Sequence, residues 1–279
     1  MAYKKSQVAA LKSTSKAKAT STTSKKTAEA SSLLRFSGDS QTRVSALLCG
    51  RSKAGKTKFA CSFPKPFVIN TDKGLATVKK ENVPFYQIER MTPENKSDKS
   101  VLKSWVDVHK ILHDLKYQEG PYWEPLAEAG YMPETIVLDS VSSLSDLLEA
   151  EIIADPPNEK DRNDALQLQD YNIIQRRLFS ILDLGRELPY NWICTVGIDM
   201  DKDDLGKMIE NPSATGSKLG PKIPHFFDEV YYHFYDKEKG KWVLSPLQTR
   251  YFPHSGSRHY LGEMIENPLY SKVKKYYEV

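Results

Sequence analysis

The chain has few cysteines, no long apolar runs and almost no acid over its first 35 residues. Its three cysteines, Cys49, Cys61 and Cys194, show no C-x-x-C spacing and lie in apolar contexts. An odd, unpatterned set argues against a disulfide framework or a zinc site. It favours a reducing compartment, with the thiols acting as small hydrophobes. No apolar run reaches the roughly 20 residues that span a bilayer, and no signal-peptide core is present. A membrane partner is therefore not expected, and the expected compartment is the cytoplasm. No internal repeat is evident.

Residues 1–35 hold seven lysines and Arg35 against Glu29 alone, a net of +7, which leaves −3 for the other 244 residues of a chain whose total is +4. The basic character thus belongs to one end. "MAYKKSQVAALKSTSKAKATSTTSKK" has almost no large apolar side chains, so burial cannot offset its ordering entropy. Residues 1–38 are expected to be a disordered basic tail, and 39–279 one folded domain. The tail suits plain solubilisation, contact with nucleic-acid phosphates, or organelle targeting, although targeting segments favour arginine over lysine. With 39% hydrophobic and 10% aromatic residues, the chain can fill a sizeable core.

From Val44 onward, short β-rich runs alternate with longer helical patterns, the signature of an α/β fold with a mostly parallel central sheet flanked by helices. "VSALLC", "PFVIN", "ETIVLDS" and "NWICTVG" read as buried strands, and "VPFYQIE" as an edge strand. In "VLKSWVDVHKILHDLKY", Val101, Trp105, Val108, Leu112 and Leu115 recur at three- and four-residue spacing, which predicts an amphipathic helix. "VSSLSDLLEAEIIA" and "ALQLQDYNIIQRRLFSILDLGREL" predict two more, separated by the loop "DPPNEKDRND". Residues 198–224 are polar and glycine-dotted and read as one long loop, a kind that is usually functional or mobile. "EVYYHFYD" and "KWVLSPL" predict a C-terminal β-hairpin joined by "KEKG", followed by a short helical segment after Pro268.

Directly behind the first strand stands "GRSKAGKT", Gly50 to Thr57, with the G-x-x-x-x-G-K-[ST] spacing of a phosphate-binding loop. Its glycines let successive backbone N–H groups turn toward an anion. Gly50, Arg51, Ser52, Lys53, Ala54, Gly55, Lys56, Thr57 and Lys58 are the expected nucleotide-binding residues. Lys56 would lie between the outer phosphates of ATP, and the Thr57 hydroxyl would hold Mg²⁺. A carboxylate at the end of a neighbouring strand should complete the metal site, and "TIVLDS" offers Asp139. Asp139 suits that role and also suits the N-cap of the helix that follows. Asp72, after "FVINT", is placed for a general base and equally for an ordinary turn.

The order "GRSKAGKT … FVINTDKGL … TIVLDSVSSL … NWICTVGIDMD … NPSATGSKLGPKIPHFFDEVYYHFYD" resembles the ATPase core of the RecA recombinase family. It is most similar to the compact RecA-like P-loop ATPases of bacteriophages that accompany single-strand annealing and recombination. The resemblance runs from about Ser45 to Arg258, and its specific parts are the phosphate loop and "IVLDS". It implies an ATPase acting on single-stranded DNA, with ATP driving assembly or release. It also implies a homo-oligomer with ATP at the subunit interface, other recombination proteins as partners, and a bacterial host cytoplasm if the chain is phage-encoded. Lys56, Asp72 and Asp139 become catalytic residues, although the family usually has Glu at the position of Asp72. The family's fourth-strand sensor, commonly Gln or His, has only Thr195 or Asp199 to represent it. The loop after the fourth strand lines the DNA path in the family, which points to Lys218 and Lys222. A cation reaching in from the neighbouring subunit would be Arg258 or Arg250, with Arg258 in the more family-like context. "LLRFSG" suits docking on a neighbour or packing on its own sheet.

Other readings of the same core are a helicase or packaging motor and a nucleotide-dependent switch without DNA contact. A small-molecule kinase fits less well, because "DPPNEKDRND" holds one arginine where such enzymes need a lid rich in them. His225, His233, His254 and His259 lack metal-ligand spacing. Tyr231, Tyr232, Phe234 and Tyr235 fit strand packing better than base stacking.

Overall fold

The computed structural model describes residues 43–72, 74–89, 103–154, 166–203, 205–216, 218–259 and 261–277. The basic tail, "LLRFSG", Val101 and the segment 155–164 lie outside the described residues. The chain order is β1 (Ser45–Gly50), α1 (Lys56–Ala60), β2 (Pro66–Asn70), β3 (Phe85–Gln87), α2 (Ser104–Tyr117), α3 (Glu124–Glu128), β4 (Thr135–Asp139), α4 (Val141–Ala154) and α5 (Leu168–Arg186). It continues through β5 (Asn191–Val196), β6 (Ile198–Lys202), β7 (Met208–Pro212), β8 (Glu229–Asp236), β9 (Lys241–Ser245), β10 (Gly256–Ser257), β11 (Ile265–Glu266) and α6 (Tyr270–Val273).

Six strands in the order β8-β1-β5-β4-β2-β3 form a parallel sheet in which every neighbour runs the same way. The expected C-terminal hairpin, β8–β9, adds an antiparallel edge, extended by β11 and by β10 on β8. Interior parallel strands are covered on both faces, which is why β1 and β4 are buried at every position and read as continuous apolar runs. Leu47 of β1 turns into a core with Val108, Leu112 and Leu115 of α2, Leu144 and Leu148 of α4, and Ile174, Leu178 and Ile181 of α5. Leu48, its neighbour, turns the other way, toward Phe59 of α1 and Val273 and Tyr277 at the C-terminal end. The predicted α2 stripe is thus the packed one, with Ile111 added and Trp105 partly buried. Helix α5 lies directly on β5, because a Cβ at Gly185 would meet the Trp192 ring at 2.2 Å.

Residues 198–224 are not a loop. They form the antiparallel hairpin β6–β7, with Ile198 opposite Pro212 and Lys202 opposite Met208, followed by a 3₁₀ segment, Gly220–Phe226. All of β6 beyond Ile198 is exposed, so no alternation of apolar residues marked it as a strand. Its turn is held by the Asp203 carboxylate, which accepts from the backbone N–H groups of Leu205 and Lys207 at 2.9 and 2.8 Å.

Candidate active site

The parallel strands end together at one edge of the sheet, and β1 delivers the glycine-rich loop there. Gly50 is pressed against β8: a Cβ at that position would lie 2.3 Å from the His233 carbonyl oxygen. Gly55 turns the chain into α1 with φ of +85°, a conformation glycine adopts without strain. Lys56 folds back over the loop, its Nζ donating to the carbonyl oxygens of Gly50 at 2.6 Å and Arg51 at 2.9 Å. Burial lowers the pKa of this ammonium, while Asp139, Cys49 and Asp72 act to keep it charged.

Asp139 ends β4 almost fully buried. Its carboxylate accepts from the Thr57 hydroxyl at 2.8 Å and, through the other oxygen, from the Thr195 hydroxyl. Burial pushes its carboxyl above the usual carboxylate range, and the bonds from Thr195 and Thr57 pull the other way. The cap of α4 falls to the next residue, Ser140, whose hydroxyl accepts from the Ser143 N–H at 3.2 Å. Asp139 is thereby left to face Thr57. Thr71 then ties two strand ends together, because its hydroxyl donates to the Ser140 carbonyl at 2.7 Å and accepts from the Ser140 N–H at 2.8 Å. The backbone N–H groups of Thr71 and Asp72 both donate to the Asp139 carbonyl.

The result is a cavity of about 420 Å³ lined by Lys56, Thr57, Asp72, Asp139, Ser142 and Thr195 among others. That volume is in the range of sites for nucleotide-sized ligands. The Thr57 hydroxyl and the Asp139 carboxylate are hard oxygen donors already in contact, a pair that fits Mg²⁺.

A second cavity of about 530 Å³ adjoins the first and shares Ser52, Ser142 and Gly197 with it. Here the hairpin meets the phosphate loop. Arg51 Nη2 lies 3.0 Å from Glu210 Oε1, and the Tyr232 hydroxyl donates to Glu210 Oε2 at 2.7 Å. Asp199 lines this second space and Thr195 the first, so the two sensor candidates occupy separate cavities. Ser142 is the joint between them: its hydroxyl accepts from the Gly197 N–H at 2.9 Å and donates to the Ser213 carbonyl at 2.8 Å. One and two turns further along α4, Ser145 Oγ accepts from the Thr215 N–H at 2.9 Å and Glu149 accepts from the Thr215 hydroxyl at 3.0 Å.

Other sequence-predicted residues lie outside both cavity linings. Lys218 and Lys222 are exposed on the segment beyond Thr215, where Lys222 Nζ donates to Gln175 Oε1 at 3.2 Å. Arg258 is paired with Asp228 of its own chain. The strand just before it, β10, pairs with Glu229 and Val230 at the start of β8, whereas the phosphate loop meets β8 at His233. Arg250 is nearer the hairpin. It stacks on Tyr251, whose carbonyl accepts from the Glu210 N–H at 2.7 Å. The four histidines have separate surroundings: His254 meets Asn211, His259 meets Glu229, His225 is exposed and His233 is buried. Ser142, Thr71 and Glu210 had no expected role; only the i, i+3, i+7 spacing of Ser142, Ser145 and Glu149 hinted at a polar helix face.

His233 sits behind the phosphate loop against Phe59, and neither ring nitrogen has a hydrogen-bond partner among the described residues. Burial, with Lys56 acting in the same direction, pushes its pKa down to about 3. The unfolded chain takes up this proton near pH 6.5, and the folded chain declines it until about pH 3. Stability is therefore complete above pH 6.5 and lost progressively as pH falls toward 3. At pH 5 the expected loss is about 2 kcal/mol. Urea unfolding of wild type and His233→Leu at pH 7.5 and 5.0 checks this. The wild type should lose that much more than the variant, and equal losses would refute the assignment.

No curated protein matches the chain. Among solved structures it is similar to a KaiC-like protein from Pyrococcus horikoshii OT3, at 13% identity over 80% of this chain and 83% of that one, with a TM-score of 0.37. It is also similar to the RadB recombinase, at 13% identity over 80% of this chain and 86% of that one, with a TM-score of 0.40. Residues 42–260 match the family model described as an AAA domain, and the chain belongs to that family.

Proposed function

We propose that the chain is a RecA-like ATPase that works on single-stranded DNA in recombination or annealing of the phage type. ATP with Mg²⁺ would sit at the interface of a homo-oligomer in the cytoplasm, and other recombination proteins are fitting partners. The observation that carries the reading is the convergence of Lys56, Thr57, Asp72 and Asp139 on one cavity at the strand ends.

Each side chain then has a task. Lys56 leaves the Gly50 and Arg51 carbonyls for the outer phosphate oxygens. Thr57 and Asp139 would hold Mg²⁺, which would supply positive charge against the phosphates. Asp72 orients the attacking water and accepts its proton as the water oxygen bonds to the γ-phosphorus and the bond to the bridging oxygen breaks. Arg250 or Arg258 of a neighbouring copy would stabilise the charge that develops. Contacts through Ser142 support a link between this cavity and the segment bearing Lys218 and Lys222.

ATP turnover should rise with single-stranded DNA, and DNA binding should gain an ATP-dependent component. Salt titrations separate two contacts. Deleting residues 1–35 should flatten the salt slope by about 0.7 log units per lost phosphate contact, with the ATP-dependent component retained. Lys218→Ala with Lys222→Ala should do the reverse. Turnover indifferent to single strands, with no strand binding, would leave a nucleotide switch without DNA contact.

A further inference from the structure

We infer that the exposed face of α5 around Tyr171 is a base-stacking surface for single-stranded nucleic acid, with Lys218 and Lys222 beside it to take the phosphates. The inference rests on the single-strand reading above and gives it a location.

Tyr171, Gln175 and Phe179 are spaced by four residues, so they form one stripe along α5. The segment after β7 is laid along that stripe, contact by contact. Gly216 lies under Tyr171, Lys222 reaches Gln175, and the Phe226 ring packs on Phe179 at a centroid distance of 4.7 Å. At the Phe179 end the stripe is closed by that ring pair. At the other end it is open: Tyr171 is 40% exposed, and Leu168, one turn earlier on the same face, is 86% exposed.

The tyrosine ring is held in place. Gly216 has φ of +84°, and a Cβ there would lie 3.0 Å from the ring, so the position favours glycine on both counts. An exposed ring braced on backbone offers a flat apolar surface at little entropic cost.

The charges around it select the occupant. Lys218, Lys222 and, to one side, Arg176 are exposed, on a body whose net charge is −3 outside the first 35 residues. Among the nearby acids, Glu149 receives the Thr215 hydroxyl and Asp170 is buried at the base of the helix. Cations flanking an exposed aromatic ring match a single strand, whose phosphates need positive charge and whose unpaired bases need a ring to stack on. A paired duplex keeps its bases from such a ring. The same segment is tied through Thr215, Ser213 and Ser142 to the cavity lining, so a strand seated here lies on the element that contacts the nucleotide cavity.

The test compares fluorescence anisotropy of a labelled oligothymidine with that of an abasic strand of equal length. Wild type should prefer the base-bearing strand by about 5- to 150-fold for one stacked base. Tyr171→Ala should lose this preference and Tyr171→Phe should keep it. Lys222→Ala should weaken both strands alike. Equal binding of the two strands by wild type overturns the inference with no variant needed, as does Tyr171→Ala with its preference intact. A shift in sedimentation of Tyr171→Ala with the preference unchanged would make the face a contact between copies and also overturn it. If wild type binds neither strand, the single-strand reading itself fails.

Discussion

Lys56→Ala is expected to lower ATP turnover by about 10²–10³-fold, the usual loss when one fixed charge donor is removed from a developing oxyanion. The lysine is the ammonium drawn into the cavity, while Lys53 and Lys58 at its rim are exposed. In the folded protein Lys56 is held by two main-chain carbonyls, so urea unfolding of the variant separates any loss of stability from the effect on the nucleotide. Binding of a fluorescent ATP analogue and release of phosphate measure it. Asp139→Asn is the matched control, because it removes negative charge facing Thr57 and leaves Lys56 in place. It should retain nucleotide and lose Mg²⁺-dependent turnover. Full hydrolysis by Lys56→Ala would sink the assignment of the phosphate loop.

Asp72→Asn should leave ATP affinity near that of wild type and cut turnover by about 10²–10⁴-fold, the range for loss of a general base. Asparagine keeps the size and the turn-forming capacity of the side chain, so a merely structural role would give a small effect. If turnover is unchanged, the water is activated elsewhere, and Asp199 and Glu210 in the adjoining cavity are the next carboxylates to substitute.

The buried strands were legible because interior parallel strands are apolar on both faces, as in "SALLCG" and "TIVLD". The hairpin β6–β7 was not, because Asp199, Met200, Asp201 and Lys202 are all exposed and no apolar alternation marks the strand. Strands β10 and β11 are two residues each and exist only through their neighbours. The phosphate loop was visible because it is a local device, eight residues with their own geometry. The tyings of Thr71 to Ser140, Ser142 to Ser213 and Arg51 to Glu210 span 69, 71 and 159 residues, and no local pattern reports them. The choice between metal ligand and cap at Asp139 was likewise open in the sequence. It turned on Ser140, which takes the cap and leaves the acid free to face Thr57 and Thr195.

Ser142, Ser145 and Glu149 make α4 a counted length. Each residue turns a helix by about 100°, so a single insertion or deletion between Ser142 and Glu149 would rotate one end of the stripe away from Ser213 or Thr215. No side-chain adjustment spans that angle. The turn at 203–207, by contrast, is closed by bonds from its own Asp203, and residues added there would lengthen the hairpin without moving either of its ends. Relatives of this chain should therefore differ freely in length at the hairpin tip and hardly at all along the first two turns of α4.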